Sequence, residues 1–346
     1  MSTRTKFAAM FLLACVAPAR AQSPPGAKAG EVVPRDVREM YDKGLKYLAT
    51  SQGEAGDWGA GSYGGAGVTS LGLLAFLASG EDPNFGLYAN NVRKALRSVI
   101  GAQDATTGIV GDGMYHHGFG MLALAEAYGT VDERSLWPDP KAANKRSIGA
   151  ALELAVRAAI TSQKKNSLGA WRYTPDSTDA DTSVSGAVLM GLLAARNAGI
   201  EVPDESIDRA IAYYKSMTSP SGAVAYAGGM GGFGESTART SICALVHAIA
   251  RRKDLPEFKA TLGMLTAKLE SSDGSYPEYA RYYQAQALFQ GDVVAWEKWN
   301  KLLVRQLKGL QQPDGSITGS FGASTGTSMS LLALALNYRF LPIYER

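Results

Sequence analysis

Asp179 and Asp181 stand one residue apart in Asp179-Ala180-Asp181-Thr182. At that spacing one carboxylate can raise the pKa of the other and leave it a proton donor. His116 and His117 are two of only three histidines in 346 residues, and imidazole is the side chain suited to proton transfer near neutral pH. Adjacent residues on a helix cannot face the same way, so at most one looks into a cavity. His117, followed by Gly118, is the one expected to do so, the other role open to it being a hydrogen bond to the next hairpin. Asp181, Asp179 and His117 are therefore the candidate catalytic residues. Cys243 and His247 lie four apart on a helical stretch and share a face, a spacing compatible with two metal ligands. No third ligand is apparent and Ile242, Ala244, Leu245 and Val246 around them read as core, so neither a metal nor another cofactor is expected. No Gly-x-Ser-x-Gly elbow, phosphate loop or dinucleotide fingerprint stands in a strand-turn-helix context.

The elements that must position these groups are written in a repeat. Six times a helix-patterned segment ends in Gly-x-(Trp, Val, Tyr or Ile), at Gly56, Gly108, Gly169, Gly222, Gly274 and Gly315, spaced 52, 61, 53, 52 and 41 residues apart. A loose period of this length signals stacked helical hairpins. Before each glycine the pattern is amphipathic: Val37, Met40, Tyr41, Leu45 and Leu48 recur at helical spacing with charged residues between them. After it the pattern is apolar nearly all round, which predicts a helix buried on every side. Outer helices are expected near 37–48, 87–102, 144–163, 204–217, 256–270 and 293–311, and inner ones near 68–79, 114–128, 182–198, 236–251, 279–290 and 325–340. An open solenoid needs polar capping repeats, yet the last inner segment is as apolar as the others. The prediction is an all-α fold, a closed α/α toroid of six inner and six outer helices.

Parallel inner helices would open all their N-termini on one rim, so residues scattered in sequence converge there. The ligand-binding candidates are His116, Trp171, Tyr173, Arg239, Tyr282, Tyr283 and Gln284, with Tyr63, Tyr115 and Tyr226 on the same rim. Six helix N-termini at a mouth favour an anion or carboxylate. Asp181, Ser236 and Ser324 stand at N-cap positions, where capping is the alternative role. The cluster Tyr276, Tyr279, Tyr282 and Tyr283 can line a hydrophobic or sugar-binding cavity or pack in the core.

Residues 1–21 carry Arg4 and Lys6, an apolar run from Phe7 to Val16 and Ala19-Arg20-Ala21, the pattern of a secretory signal peptide. Leu12-Leu13-Ala14-Cys15 also reads as a site for a lipid anchor on Cys15. The expected organisation is a signal peptide at 1–21, a flexible Pro/Gly-rich lead-in at 22–35 and a single toroid domain at 36–346. The leader holds three of the 35 basic residues and none of the 32 acidic ones, so the remainder is neutral and offers no footprint for nucleic acid. Without the leader Cys243 is the one cysteine, which leaves no intrachain disulfide. No later apolar stretch is long enough for a membrane span. A hydrophobic small molecule, a glycan or a protein remains as partner, at an exported location: periplasmic, secreted or cell-surface.

Tyr47-Leu48-Ala49-Thr50-Ser51-Gln52 leading to Gly56-Asp57-Trp58, then Val68 to Leu77, resembles the prenyltransferase and squalene oxidase repeat of the terpenoid cyclase and protein prenyltransferase superfamily. Gln163 to Trp171 and Gln311 to Ile317 repeat it less perfectly. Met114 to Phe119, Asp181 to Gly186 and Tyr282 to Phe289 are similar to exported, single-toroid bacterial members. The resemblance implies that Asp179-Ala180-Asp181-Thr182 overlaps the Asp-x-Asp-Asp motif of squalene-hopene-type cyclases, with Asp181 as the proton donor. Thr182 replaces the final acid, and those cyclases close their site between two toroids. The zinc set of protein prenyltransferases has no match around Cys243. Three functions follow as expectations: a toroid that binds a ligand or partner at its rim without catalysis, an isoprenoid cyclase using Asp181, and a polysaccharide lyase-like enzyme using His117, Tyr282 or Tyr283 as base with Arg239 on a uronate.

Overall fold

Helices along the chain alternate between two kinds of burial. In α1 (Arg35–Ser51) the buried residues are Val37, Met40, Tyr41, Gly44, Leu45 and Leu48, while Arg38, Asp42, Lys43 and Lys46 face solvent. In α2 (Ala66–Leu77) every residue but Val68 is buried. The same alternation holds for α3 (Ala89–Gly101), α4 (Met114–Ala127), α5 (Ile148–Lys165), α6 (Thr182–Asn197), α7 (Asp204–Ser216), α8 (Thr237–Ile249), α9 (Pro256–Ala267), α10 (Pro277–Gly291), α11 (Val293–Leu310) and α12 (Gly322–Ala335). The computed structural model describes residues 33–59, 64–139, 145–228, 234–270 and 274–344, which belong to one compact unit. Twelve α-helices and no named strand occur among them. Residues 1–21, expected to be an export signal, together with Cys15 and Tyr63 lie outside the described residues.

The even-numbered helices pack in the cyclic order α2, α4, α6, α8, α10, α12 and back to α2, and α1 packs on α12. The ring therefore closes, as the uniformly apolar inner segments predict. Its hairpins are joined by a device visible in the repeat. Gln52 Nε2 donates to the carbonyls of Gly56 (2.9 Å) and Asn91 (3.0 Å), tying the turn after α1 to α3. Gln103 joins Gly108 to Ala151 and Gln163 joins Gly169 to Ser206 in the same manner. Gln311 closes the circle, donating to Gly315 O (3.1 Å) and to Met40 O on α1 (2.8 Å). The turn glycine is required at these seams: Gly56 has φ +85°, and a Cβ there would sit 2.3 Å from Lys94 O of the next outer helix. Trp58 and Trp171 complete the turns by donating their indole N–H to Leu48 O and Ala159 O.

Asp181 caps α6 and Ser236 caps α8, as their positions predict. Ser324 does not cap: α12 begins earlier, at Gly322, because Gly319 and Gly322 bond each other's backbone and start the helix before it.

Candidate functional site

A cavity of about 560 Å³ opens at the N-terminal ends of the inner helices. Gly67, Val68 and Leu71 come from α2, Tyr115, His116 and Phe119 from α4, Ser183 from α6, Tyr279 from α10, and Thr325 and Met329 from α12. The turns before these helices add Gly64, Tyr173, Tyr226, Tyr276 and Phe321. Parallel inner helices make this possible, since side chains of one helical phase in each first turn point at a common axis. The wall is aromatic: Tyr276 stacks on Phe321 (centroids 5.1 Å, 6° between planes), and Tyr115 packs between Phe119 and Tyr173 at 6.4 Å. The Tyr173 and Tyr226 hydroxyls bond each other, and those of Tyr115 and Tyr279 lie 3.5 Å apart. Arg172 lies over the Tyr173 and Tyr226 rings, 5.5 and 5.9 Å from their centroids, and pairs with Asp179.

Of the residues singled out in the sequence, Tyr115, His116, Tyr173 and Tyr226 line this cavity, and so do Tyr276 and Tyr279 of the tyrosine cluster. His116 Nδ1 accepts from Gly67 N (2.9 Å), which leaves the proton on Nε2, 3.3 Å from Asp112 Oδ1. His117 points the other way, contrary to the expectation that it would be the one to face the cavity. It is fully buried, its Nδ1 accepting from Val110 N and its Nε2 bonding Ala155 O on α5 (3.1 Å each). Gly118 leaves room for α6 instead, where an added Cβ would lie 2.6 Å from the Ala187 carbonyl carbon. Trp171 is core, and Arg239 donates to Val224 O and Gly234 O, holding the loop before α8. Tyr282, Tyr283 and Gln284 are buried outside the wall; Tyr282 meets Phe119 edge-on at 6.4 Å. Asp179 is exposed, and Asp181 is buried and does not line the cavity. His117, Arg239 and a tyrosine base are therefore not brought together. Cys243 Sγ lies 3.5 Å from His247 Nδ1 and 3.3 Å from Thr218 Oγ1 in a sealed core, and burial pushes its thiol up to about 12. Among the described residues no group of three His, Cys, Asp or Glu is placed to hold a metal.

No protein-family model matches the chain, and none of the curated proteins is similar to it. Solved structures are similar. The chain resembles the GH76A alpha-1,6-mannanase of Salegentibacter sp. HEL1_6 at 9% identity, over 88% of this chain and 99% of that one, with a TM-score of 0.64. An inactive variant of that enzyme in complex with alpha-1,6-mannotriose matches at 11% identity, 87% and 99% coverage and a TM-score of 0.63. A protein from Actinoplanes matches at 14% identity over 87% and 99%, with a TM-score of 0.60. The fold is an α/α toroid. A type II terpene cyclase from Scytonema aligns over 88% of this chain at a TM-score of 0.35, too low to carry an argument about the site. The terpenoid part of the sequence resemblance thus gains no structural support beyond the toroid, and at these identities the mannanases show shared architecture alone.

The electrostatics of the mouth differ from the anion site expected there. The first-turn N–H groups of α6 are all taken, and so is one at each of α2 and α4. Gly67 N donates to His116, Met114 N to Tyr173 O (2.9 Å), Thr182 N to Tyr226 O (2.9 Å), and Ser183 and Val184 N to Asp181 Oδ1 (2.9 and 2.8 Å). Phe321 N donates to buried Glu278 (3.3 Å). Two carboxylates thus answer the helix dipoles from inside the protein. Burial pushes the Tyr115, Tyr226 and Tyr279 hydroxyls above the usual phenol value, so all three stay neutral.

Asp181 Oδ2 is buried without a hydrogen bond, 3.9 Å from Arg172 Nε. Burial raises its carboxyl to about 6, against the pull of the Val184 and Ser183 N–H groups and Arg172. Burial lowers His117 and His247 to about 4. The folded values of the histidines lie below the ordinary imidazole value of 6.5, so their contribution to stability is full above that pH and is lost as pH falls through 4. Each histidine accounts for up to about 3 kcal/mol. Asp181 runs oppositely: its folded value exceeds 3.8, so its contribution is present below that pH and is lost as pH rises through 6. Urea midpoints should therefore fall on acidification from pH 7 to pH 4. Asp181→Asn, which keeps a capping oxygen, should make that fall steeper; a slope unchanged by the substitution would contradict the assignment.

Proposed function

We propose that this toroid is an exported binding protein that holds an apolar ligand in the inner-helix cavity without covalent chemistry. One observation carries the reading: the cavity wall is built of aromatic, aliphatic and small polar side chains and the His116 imidazole, with no carboxylate, lysine or arginine among the described residues that form it. Hydrolysis of a glycosidic bond uses two carboxyl groups flanking the substrate, about 5–5.5 or 6.5–9.5 Å apart, and this wall supplies neither. The mannotriose complex of the GH76A enzyme keeps a glycan among the ligands to be tested. Export by residues 1–21, with a lipid anchor on Cys15 as the alternative route, belongs to the same proposal.

Isoprenoid cyclisation with Asp181 as general acid is a second reading, favoured by a buried Asp181 Oδ2 that makes no hydrogen bond and by the raised pKa of that carboxyl. The two readings separate at Asp181→Asn, which abolishes turnover in the second and leaves affinity intact in the first. Nile red, a neutral apolar dye, tests binding directly. The expected result is saturable fluorescence enhancement at one dye per chain, with alpha-1,6-mannotriose and squalene recovered unchanged in mass after prolonged incubation. Absence of dye binding, or conversion of either compound, would overturn the proposal.

A further inference from the structure

We infer that the cavity selects an uncharged amphiphile, its apolar body against the floor and a single hydroxyl or carbonyl head at a tyrosine rim. The inference rests on the binding reading above and adds the ligand's charge and orientation. Depth follows from helix geometry. Leu71 and Phe119 lie five residues into α2 and α4, and Met329 seven into α12, about 8–10 Å below the helix starts at 1.5 Å per residue. All three are buried and carry no hydrogen-bonding group other than the Met329 thioether. At the mouth stand Tyr173, half-exposed, and Tyr226, partly buried, whose hydroxyls bond each other. Two phenols sharing one bond keep one donor and several acceptor sites between them, enough for one alcohol or carbonyl oxygen.

Charge is disfavoured in both signs. An anionic head would look for the helix N-termini, but the α6 N–H groups and those of Gly67, Met114 and Phe321 are occupied by Asp181, His116, Glu278 and backbone carbonyls, and the two acids repel it. A cationic head would look for the faces of Tyr173 and Tyr226, but the Arg172 guanidinium already lies over both rings. Desolvating either kind of ion without a counter-charge in the wall is costly. A neutral head loses only water that the tyrosine hydroxyls replace.

A charge series on a constant tail tests this: 1-decanol, decanoate and decyltrimethylammonium, each below its aggregation limit, displacing Nile red from the full-length mature protein at pH 7.5. Decanol should displace the dye at a concentration at least tenfold lower than either ion. Shortening it to 1-octanol should weaken displacement about fourfold per methylene, the factor equivalent to about 0.8 kcal/mol per buried CH₂. Displacement by decanoate or the ammonium as effective as by decanol overturns the neutral-ligand inference and leaves the binding reading standing. A protein that binds no dye at all overturns both.

Discussion

Replacing Gly315 with valine should destabilise the protein by about 3 kcal/mol or more and loosen the ring at its closing seam. Gly315 has φ +92°, where a residue bearing Cβ is strained by about 1–3 kcal/mol and a β-branched one is among the worst placed. A Cβ there would also lie 2.1 Å from Lys43 O. That atom is backbone inside α1, so it cannot swing aside, and α1 has to move away from the turn. Movement breaks the bond from Gln311 to Met40 O, worth about 1 kcal/mol net. Equilibrium urea unfolding measures the loss, and limited proteolysis should show α1 released first. Gly309 is the control: it lies in α11 with nothing within 4 Å of an added Cβ. Gly309→Ala should be neutral or stabilising by up to about 1 kcal/mol. A Gly315→Val change below about 1 kcal/mol would mean that the ring does not depend on this contact.

Thr325→Trp is expected to abolish ligand binding while leaving the fold intact. Thr325 lies in the first turn of α12 and faces the cavity; its Oγ1 is buried without a hydrogen-bond partner. Replacing it therefore breaks no bond, and the indole has a cavity of about 560 Å³ to enter. Most of the apolar floor is then covered from within. Nile red affinity should fall at least 100-fold, with the urea midpoint changed by no more than the equivalent of about 1 kcal/mol. Undiminished affinity in a folded variant would place the dye elsewhere on the molecule.

Most of the architecture was legible because it depends on local signals that the chain repeats. Positive-φ glycines at Gly56, Gly108, Gly169, Gly222 and Gly315 end the turns, and apolar runs on either side set which helix is buried. Gly274 has no close neighbour among the described residues, so there the fifth unit shares the pattern without the contact. The site was legible only in part. Position in the chain shows which residues lie near the helix N-termini, but the rotation of each helix is set by packing between helices. Gly118 illustrates this: its missing Cβ admits the α6 backbone, which turns His117 into the wall between α4 and α5 and leaves His116 toward the cavity. Phe119, Thr325 and Met329 escaped notice as apolar or small residues in apolar helices. A signal was nevertheless present, because Tyr115 and Phe119, Gly67 and Leu71, and Phe321, Thr325 and Met329 each recur four apart and so share one face. The mouth also carries two groups that chain position did not single out for this role, since Asp181 and Glu278 answer the starts of α6 and α12 from within.

The most direct test of the central claim is mass spectrometry of the molecules extracted from the purified protein, wild type and Thr325→Trp side by side. A neutral amphiphile present at about one per chain in the wild type and absent from the variant is the predicted result. A charged lipid or an oligosaccharide in the wild type, or the same molecule in equal amount in both proteins, would contradict it.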